Sequence, residues 1–418
     1  MALPHLASAR MFEHSSSVAA ADILARAEGV RIAVVCSMLE ENWISMNVTS
    51  DMLLEFLPRE APESVELRRI RPPMHRRFTF HPRLQTKKRL FNADRLLNRY
   101  WDFPRYLRKL RDGFDLFHIV DHSYAQLANV LPAGRCIVTC HDLDAFRSLI
   151  APDPSRHRAI HRAMARRQLE GLQRAAAVVC DSGAVRDEIV THSLLPESRL
   201  SVIPLGVHPT CSPFPNVEAE HCAAALLGPL REDAPEILHV SSTVPRKRID
   251  LLLEIFARVR LRFPKARLIR VGGPFSADQE THVRRLALEE SICVLPFISR
   301  ETLAAVYRRA ALVLHPSQAE GFGLPLVEAL ACGAPVAASD LRVFREVGGD
   351  AVTYLPVGDV SLWSEQVCRL LAERLDAPSV AAERRNAGLR QAARFTWPEF
   401  AAKTAELYRE VLAGATRE

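Results

Sequence analysis

Short apolar runs rich in β-branched residues alternate with longer amphipathic stretches along almost the whole chain. Parallel α/β domains produce this pattern, because their strands are buried on both faces and helices cover them. In the first half, RIAVVCS (31–37), DLFHIV (115–120), 135–140, 176–180 and 199–204 predict strands. Between the last of these, 155–174 sets Ile160, Met164, Leu169 and Leu172 near a helical repeat with arginines on the other faces, which predicts an exposed amphipathic helix. In the second half, strands are predicted over 237–241, 267–272, 292–295, 311–315, 335–338 and 352–355, each followed by a helix. A Pro-rich passage without periodicity, from about 204 to 220, separates the halves. The chain closes with a helix over 397–412, where Pro398 suits a first turn that needs no donor. No repeat of about 20 to 50 residues is present, which argues against a solenoid.

A length of 418 residues suits two domains better than one, and 48% apolar with 25% charged residues is a globular composition. The expected division is an extension over 1–30, an N-terminal domain over 31–210 completed by a returning C-terminal helix (397–418), and a C-terminal domain over 211–396. The extension mixes basic and acidic residues and has no apolar stretch of the secretory kind. Nine scattered cysteines without a C-x-x-C fit neither a disulfide framework nor a zinc ribbon, so a reducing, cytoplasmic setting is expected. The apolar runs are of strand length, well below the roughly 20 residues of a membrane span. Charge alters this picture. The net +6 conceals a block from Arg68 to Arg111 with fifteen Lys or Arg against Asp94 and Asp102, which leaves the remaining residues at about −7. Such a block suits a polyanionic partner: nucleic acid, an anionic membrane or a phosphorylated substrate.

Candidate chemistry is densest in 311–340, ALVLHPSQAEGFGLPLVEALACGAPVAASD. A strand ending near His315 feeds a loop containing Gly321 and Gly323, and a helix is predicted from about Leu324, with Pro325 in its first turn. The glycines permit close approach of backbone to a ligand, and the free N–H groups of a new helix form an anion site. Glu320 in the loop and Glu328 one turn into the helix place two carboxylates at the carboxyl end of a parallel strand, where open α/β sheets bind ligands. Carboxylates accept hydrogen bonds from paired sugar hydroxyls, although both could equally serve only to complement the helix dipole.

Glu, seven residues, Glu, with the interior GFGLPLV, resembles the donor-site motif of retaining GT-B glycosyltransferases of family four, the glycosyl transferases group 1. The resemblance implies an α/β fold of two Rossmann-like domains facing across a cleft. It implies that Glu328 binds the nucleotide ribose, that Glu320 contacts donor-sugar hydroxyls, and that the backbone of Phe322, Gly323 and Leu324 holds the diphosphate and sugar. ILHVSSTVPRKRIDLLLEIF (237–256) is similar to the family's strand, loop and helix with adjacent cations, which would set Lys247 and Arg246 on the diphosphate. Ser241 stands where the family usually has glycine, and Ser242 or Thr243 where many members carry a second phosphate-binding arginine, for which Arg246 is the candidate substitute. LIRVGG (268–273) and 294–310 match the next steps of the family order, and the backbone near Ile298 is implied to meet the base.

The resemblance is looser over 31–210. RCIVTCHDLDAF (135–146) resembles a strand-His-Asp element, which implies that His141 contacts the donor sugar. The first strand is followed by SMLEENWISMNVTS, without the paired glycines many members place there. The activity implied is transfer of a hexosyl group, with a weak lean to mannosyl, from a nucleotide diphospho-sugar to a glycan or lipid-linked acceptor. Lys247, His141 and Glu320 would carry the chemistry, with no cofactor. No D-x-D motif is placed to hold a metal, so metal independence is expected, with cations and helix N-termini offsetting the leaving charge. The block from Arg68 to Arg111 interleaves cations with Phe78, Phe80, Phe91, Tyr100, Trp101, Phe103 and Tyr106, and peripheral contact with an anionic membrane is expected ahead of nucleic acid. Two other classes stay open: a GT-B-fold epimerase or hydrolase of nucleotide sugars, and a nucleic-acid-binding protein on an inactive fold.

Overall fold

The computed structural model describes residues 29–61, 65–150 and 159–415. The expected extension over 1–30 lies outside these except for its last two residues, as do 155–158 of the expected amphipathic helix. The chain divides into two compact units, one running to Leu205 and resuming at Trp397, the other spanning Gly206–Thr396.

The first unit is built on β1 (Val30–Val35), β2 (Val65–Ile70), β3 (Leu116–Ile119), β4 (Cys136–Cys140), β5 (Ala177–Cys180) and β6 (Leu200–Val202). All pairings are parallel, in the order β2-β1-β3-β4-β5-β6. Five of these strands lie within two residues of the expected runs; β2 was not expected. Its sequence, VELRRI, alternates in exposure as a sheet-edge strand does, and its charges hide it inside the basic block. The helix Ala159–Arg174 packs on the expected face, with Leu172 in the core, Leu169 against it and Met164 half-buried, and departs from expectation only at its start, where Ile160 is exposed. The terminal helix Trp397–Ala415 belongs to this unit because Tyr408 is buried with its hydroxyl 2.6 Å from His118 Nδ1, and His118 is in turn bonded to Thr139.

The second unit carries β7 (Glu236–Val240), β8 (Arg267–Val271), β9 (Ile292–Leu295), β10 (Leu312–His315), β11 (Val336–Ser339) and β12 (Val352–Leu355), parallel throughout. Their order, β9-β8-β7-β10-β11-β12, reverses direction between β7 and β10, where strand-end loops diverge and open α/β sheets bind ligands. Ile237, Leu252, Leu268, Leu312 and Trp363 form part of its core. The expected linker is shorter than its sequence suggests, because Asn216 caps a helix, Val217–Leu227, by accepting from Ala219 N–H. All nine cysteines are free thiols. No helix among the described residues is long and apolar enough to cross a membrane.

Candidate functional site

At the switch point of the second unit, the loop after β7 and the loop after β10 are tied together. Gln318 N–H donates to the Arg246 carbonyl at 2.7 Å, and Arg246 Nη1 donates to the Ala319 carbonyl at 3.0 Å. Pro245 opens a single 3-10 turn, Pro245–Lys247, which sets both cations beside the second loop. Lys247 Nζ lies 2.5 Å from Glu320 Oε1 and Arg246 Nη1 3.3 Å from Oε2, while Ser317 Oγ donates to Oε1 at 2.8 Å. Burial pushes the Glu320 carboxyl up, but Lys247 and Arg246 outweigh it and hold the group below its ordinary range. Two cations thus share one ionised carboxylate.

The helix after this loop is Leu324–Ala331, entered through Gly323 at φ 96°. A Cβ there would stand 2.8 Å from the Phe344 ring, so the position needs glycine both for its backbone and for its space. The N–H groups of Gly323 and Leu324 meet no acceptor among the described residues, as the first turn of a helix requires. Phe322 is buried with its ring edge-on to Phe395. Glu328 is buried one turn on, where it accepts from the Tyr307 hydroxyl at 3.1 Å and lies 3.9 Å from Arg300. Burial raises its pKa, and Arg300 and Tyr307 offset this only in part. Ile298 is half-buried in the turn before helix Arg300–Arg309, next to the cap Ser299. This unit therefore joins Lys247, Arg246 and Glu320 directly, and gives Glu328 separate partners, Tyr307 and Arg300, that were not singled out from sequence.

A third cation lies beneath the same loops. Arg270, in β8, is fully buried, and its terminal nitrogens donate to the carbonyls of Gly273 and of Ser241, the latter at 3.1 Å. The signal for it was visible as an arginine flanked by the apolar strand residues Leu268, Ile269 and Val271. The loops after β7 and β8 pack closely here: a Cβ on Gly272 would fall 2.0 Å from the Ser241 carbonyl oxygen.

In the first unit His141 follows β4 and is buried, with Nδ1 at 2.6 Å from Asp181 Oδ2 and Nε2 at 2.7 Å from the Val120 carbonyl. A ring that meets an acceptor at each nitrogen donates from both, as an imidazolium does. Burial pushes its pKa down, but Asp181 and Asp121 outweigh it and raise it to about 9. Both ring nitrogens are engaged, so a sugar hydroxyl could be met only by exchanging the Val120 bond. Asp181, which was not singled out from sequence, sits at the end of β5. Among the described residues no group of three or more His, Cys, Asp or Glu is placed to hold a metal ion.

The basic block is less uniform than its composition. Arg99 is buried against Glu41 and Tyr124, Arg77 pairs with Asp102 through two bonds of 2.7 Å, and Phe103 is a core residue. Asp94 keeps its negative charge within the block, and its carboxylate orders the backbone there by accepting from the N–H groups of Arg77, Phe78 and Thr79. Phe80 and Trp101 remain 70% and 56% exposed, with Arg105 stacked on Trp101, amid exposed Lys87, Lys88, Arg89, Arg108 and Lys109.

Comparison with known proteins matches residues 33–210 to the model for Glycosyltransferase Family 4 and 228–388 to that for Glycosyl transferases group 1. The chain is 28% identical over 283 residues to a D-inositol 3-phosphate glycosyltransferase of Mycobacteroides abscessus, a match covering 66% of this chain and 60% of that protein. It is 29% identical over 315 residues to an O-antigen chain mannosyltransferase B of Escherichia coli, covering 73% and 78%. Among solved structures, a sucrose-phosphate synthase from Thermosynechococcus elongatus superposes with a TM-score of 0.69 at 20% identity, over 92% of this chain and all of that one. The architecture is the two-domain Rossmann-like GT-B fold.

Proposed function

The chain belongs to the group 1 glycosyltransferases of family 4, and from that premise we propose that it moves a hexosyl group from a nucleoside diphosphate sugar to a hydroxyl of a glycan or lipid-linked acceptor, with retention of anomeric configuration. The observation that carries the donor assignment is the pair of cations on one carboxylate at the strand-end switch point, beside a helix start with free N–H groups. This arrangement suits a diphosphate. When the donor binds, its phosphates compete with Glu320 for Lys247 and Arg246, and the released carboxylate turns to accept from sugar hydroxyls. Glu328 accepts from the ribose, and the backbone at Ile298 meets the base. In the transition state the cations and the first turn of Leu324–Ala331 offset charge building on the departing phosphate, with no metal required. His141 meets the donor sugar as a cation, exchanging its bond to Val120.

The mannosyl lean rests on the Thr243-Val244-Pro245-Arg246-Lys247 loop and on the name of the Escherichia coli relative. The two other classes, a nucleotide-sugar epimerase or hydrolase and a nucleic-acid-binding protein, are not favoured, since both matched models are those of transferases. We assign the exposed cations and aromatics within Arg68 to Arg111 to an anionic membrane surface, where they would bring the chain to a lipid-linked acceptor as a peripheral partner. Saturation binding of GDP, UDP and ADP and their hexose conjugates, with a chelator present, tests the donor assignment. One base should bind saturably as its diphosphate sugar; no binding by any of them would overturn the reading.

A further inference from the structure

We infer that Arg270 is a positioning residue for the donor diphosphate: a buried, carboxylate-free guanidinium that holds the loops after β7 and β8 and sets a fixed positive charge beneath the phosphate-binding loop. This rests on the donor reading above.

Buried charges in proteins are almost always paired, because an isolated one costs several kcal/mol even after relaxation. Arg270 is 0% exposed, yet no carboxylate among the described residues pairs with it. A guanidinium does not escape by losing its proton. What it has are two carbonyls, those of Ser241 and Gly273, and the face of Phe275 at 5.0 Å, while its Nε has no partner among the described residues. Carbonyl dipoles solvate the charge without cancelling it. His239 and His315 nearby add no further positive charge, since burial pushes them down to about 3 and about 4 and leaves them neutral.

The two carbonyls it grips open the loops after β7 and β8, and the first of these loops runs through Ser242 and Thr243 to Arg246 and Lys247. Arg270 therefore does two things for an anion on that loop without touching it. It fixes where the loop leaves the sheet, and in a site of low dielectric its field acts over the intervening backbone. It thereby adds a third positive charge, from below and out of β8, to those of Lys247 and Arg246 on the loop itself. A bound diphosphate completes the charge balance that the protein alone leaves open.

The test is titration calorimetry of wild-type protein, Arg270→Met and Arg270→Lys with the nucleoside, monophosphate and diphosphate of the base that wild type prefers. The account expects nucleoside affinity within about twofold of wild type in both variants. Diphosphate affinity should fall about 10- to 100-fold in Arg270→Met and by a smaller factor in Arg270→Lys, which keeps the charge but not the fork. An equal loss for nucleoside and diphosphate would make Arg270 a mere pillar between two loops and overturn the inference, as would unchanged diphosphate affinity. Should the methionine variant not fold, the lysine variant is read alone: a diphosphate-to-nucleoside preference reduced by about threefold or more supports the inference, and an unchanged one overturns it. If wild type itself shows no preference for diphosphate over nucleoside, the donor reading fails instead, and the two failures are told apart.

Discussion

Glu320 is the counter-ion to Lys247 and Arg246, and in the proposed function the same carboxylate then accepts from the donor sugar. Removing Lys247 therefore strips charge from the leaving group and also leaves Glu320 under-compensated. Lys247→Ala should cost about 2 to 5 kcal/mol of transition-state stabilisation in kcat/KM, and near-normal turnover would contradict the assignment. His141 supplies a second residue-scale prediction. Its folded pKa lies above the ordinary histidine value, so the stabilisation from Asp181 is fully present below that value and is lost as pH rises through about 9. In a titration of histidine-labelled protein by NMR, His141 should remain cationic at pH 8 and become neutral there in Asp181→Asn; a neutral wild-type ring at pH 7 would refute the pairing. At this scale the sequence exposed Glu320, Glu328 and Lys247, because motif spacing carries them. It did not expose Asp181, Tyr307 or Arg300 as partners, since each meets its target only through the fold.

Elements were legible where a strand reads as an apolar run, as parallel strands buried on both faces do; eleven of the twelve strands fall within such runs, the edge strands β6, β9 and β12 among them. The exception is β2, at a sheet edge, where Glu66, Arg68 and Arg69 face water and erase the signal. The same limit applies to the segment after β2, whose order comes from Asp94 and Asn98 holding the backbone of 75–79 and not from any local pattern. Gly272 is an element-scale device: at φ 129° it lets β8 close on Ser241, and added bulk must push the loops after β7 and β8 apart. Gly272→Ala should destabilise the protein by about 3 kcal/mol or more in denaturant unfolding and weaken diphosphate binding with it. An unchanged midpoint would show that the contact at Ser241 is not tight.

Over the whole molecule, net charge describes little. Of the fifteen cations between Arg68 and Arg111, Arg99 is met by Glu41 and Arg77 by Asp102, and exposed ones such as Arg105 accompany Phe80 and Trp101. If that surface meets lipid, the full chain should co-sediment with vesicles containing phosphatidylglycerol and not with phosphatidylcholine alone. Trp101→Ala and Arg105→Glu together should weaken this about tenfold, and rising salt should weaken it further. Retention of oligonucleotides without vesicle binding would favour the nucleic-acid reading of the block. The central claim, hexosyl transfer, is tested most directly by incubating the chain with its bound nucleotide sugar and a panel of hydroxyl acceptors, following nucleoside diphosphate release and the anomeric configuration of the product by NMR. Release should depend on an acceptor, and the product should keep the donor's configuration. Release at the same rate without acceptor, or an inverted product, would contradict the account.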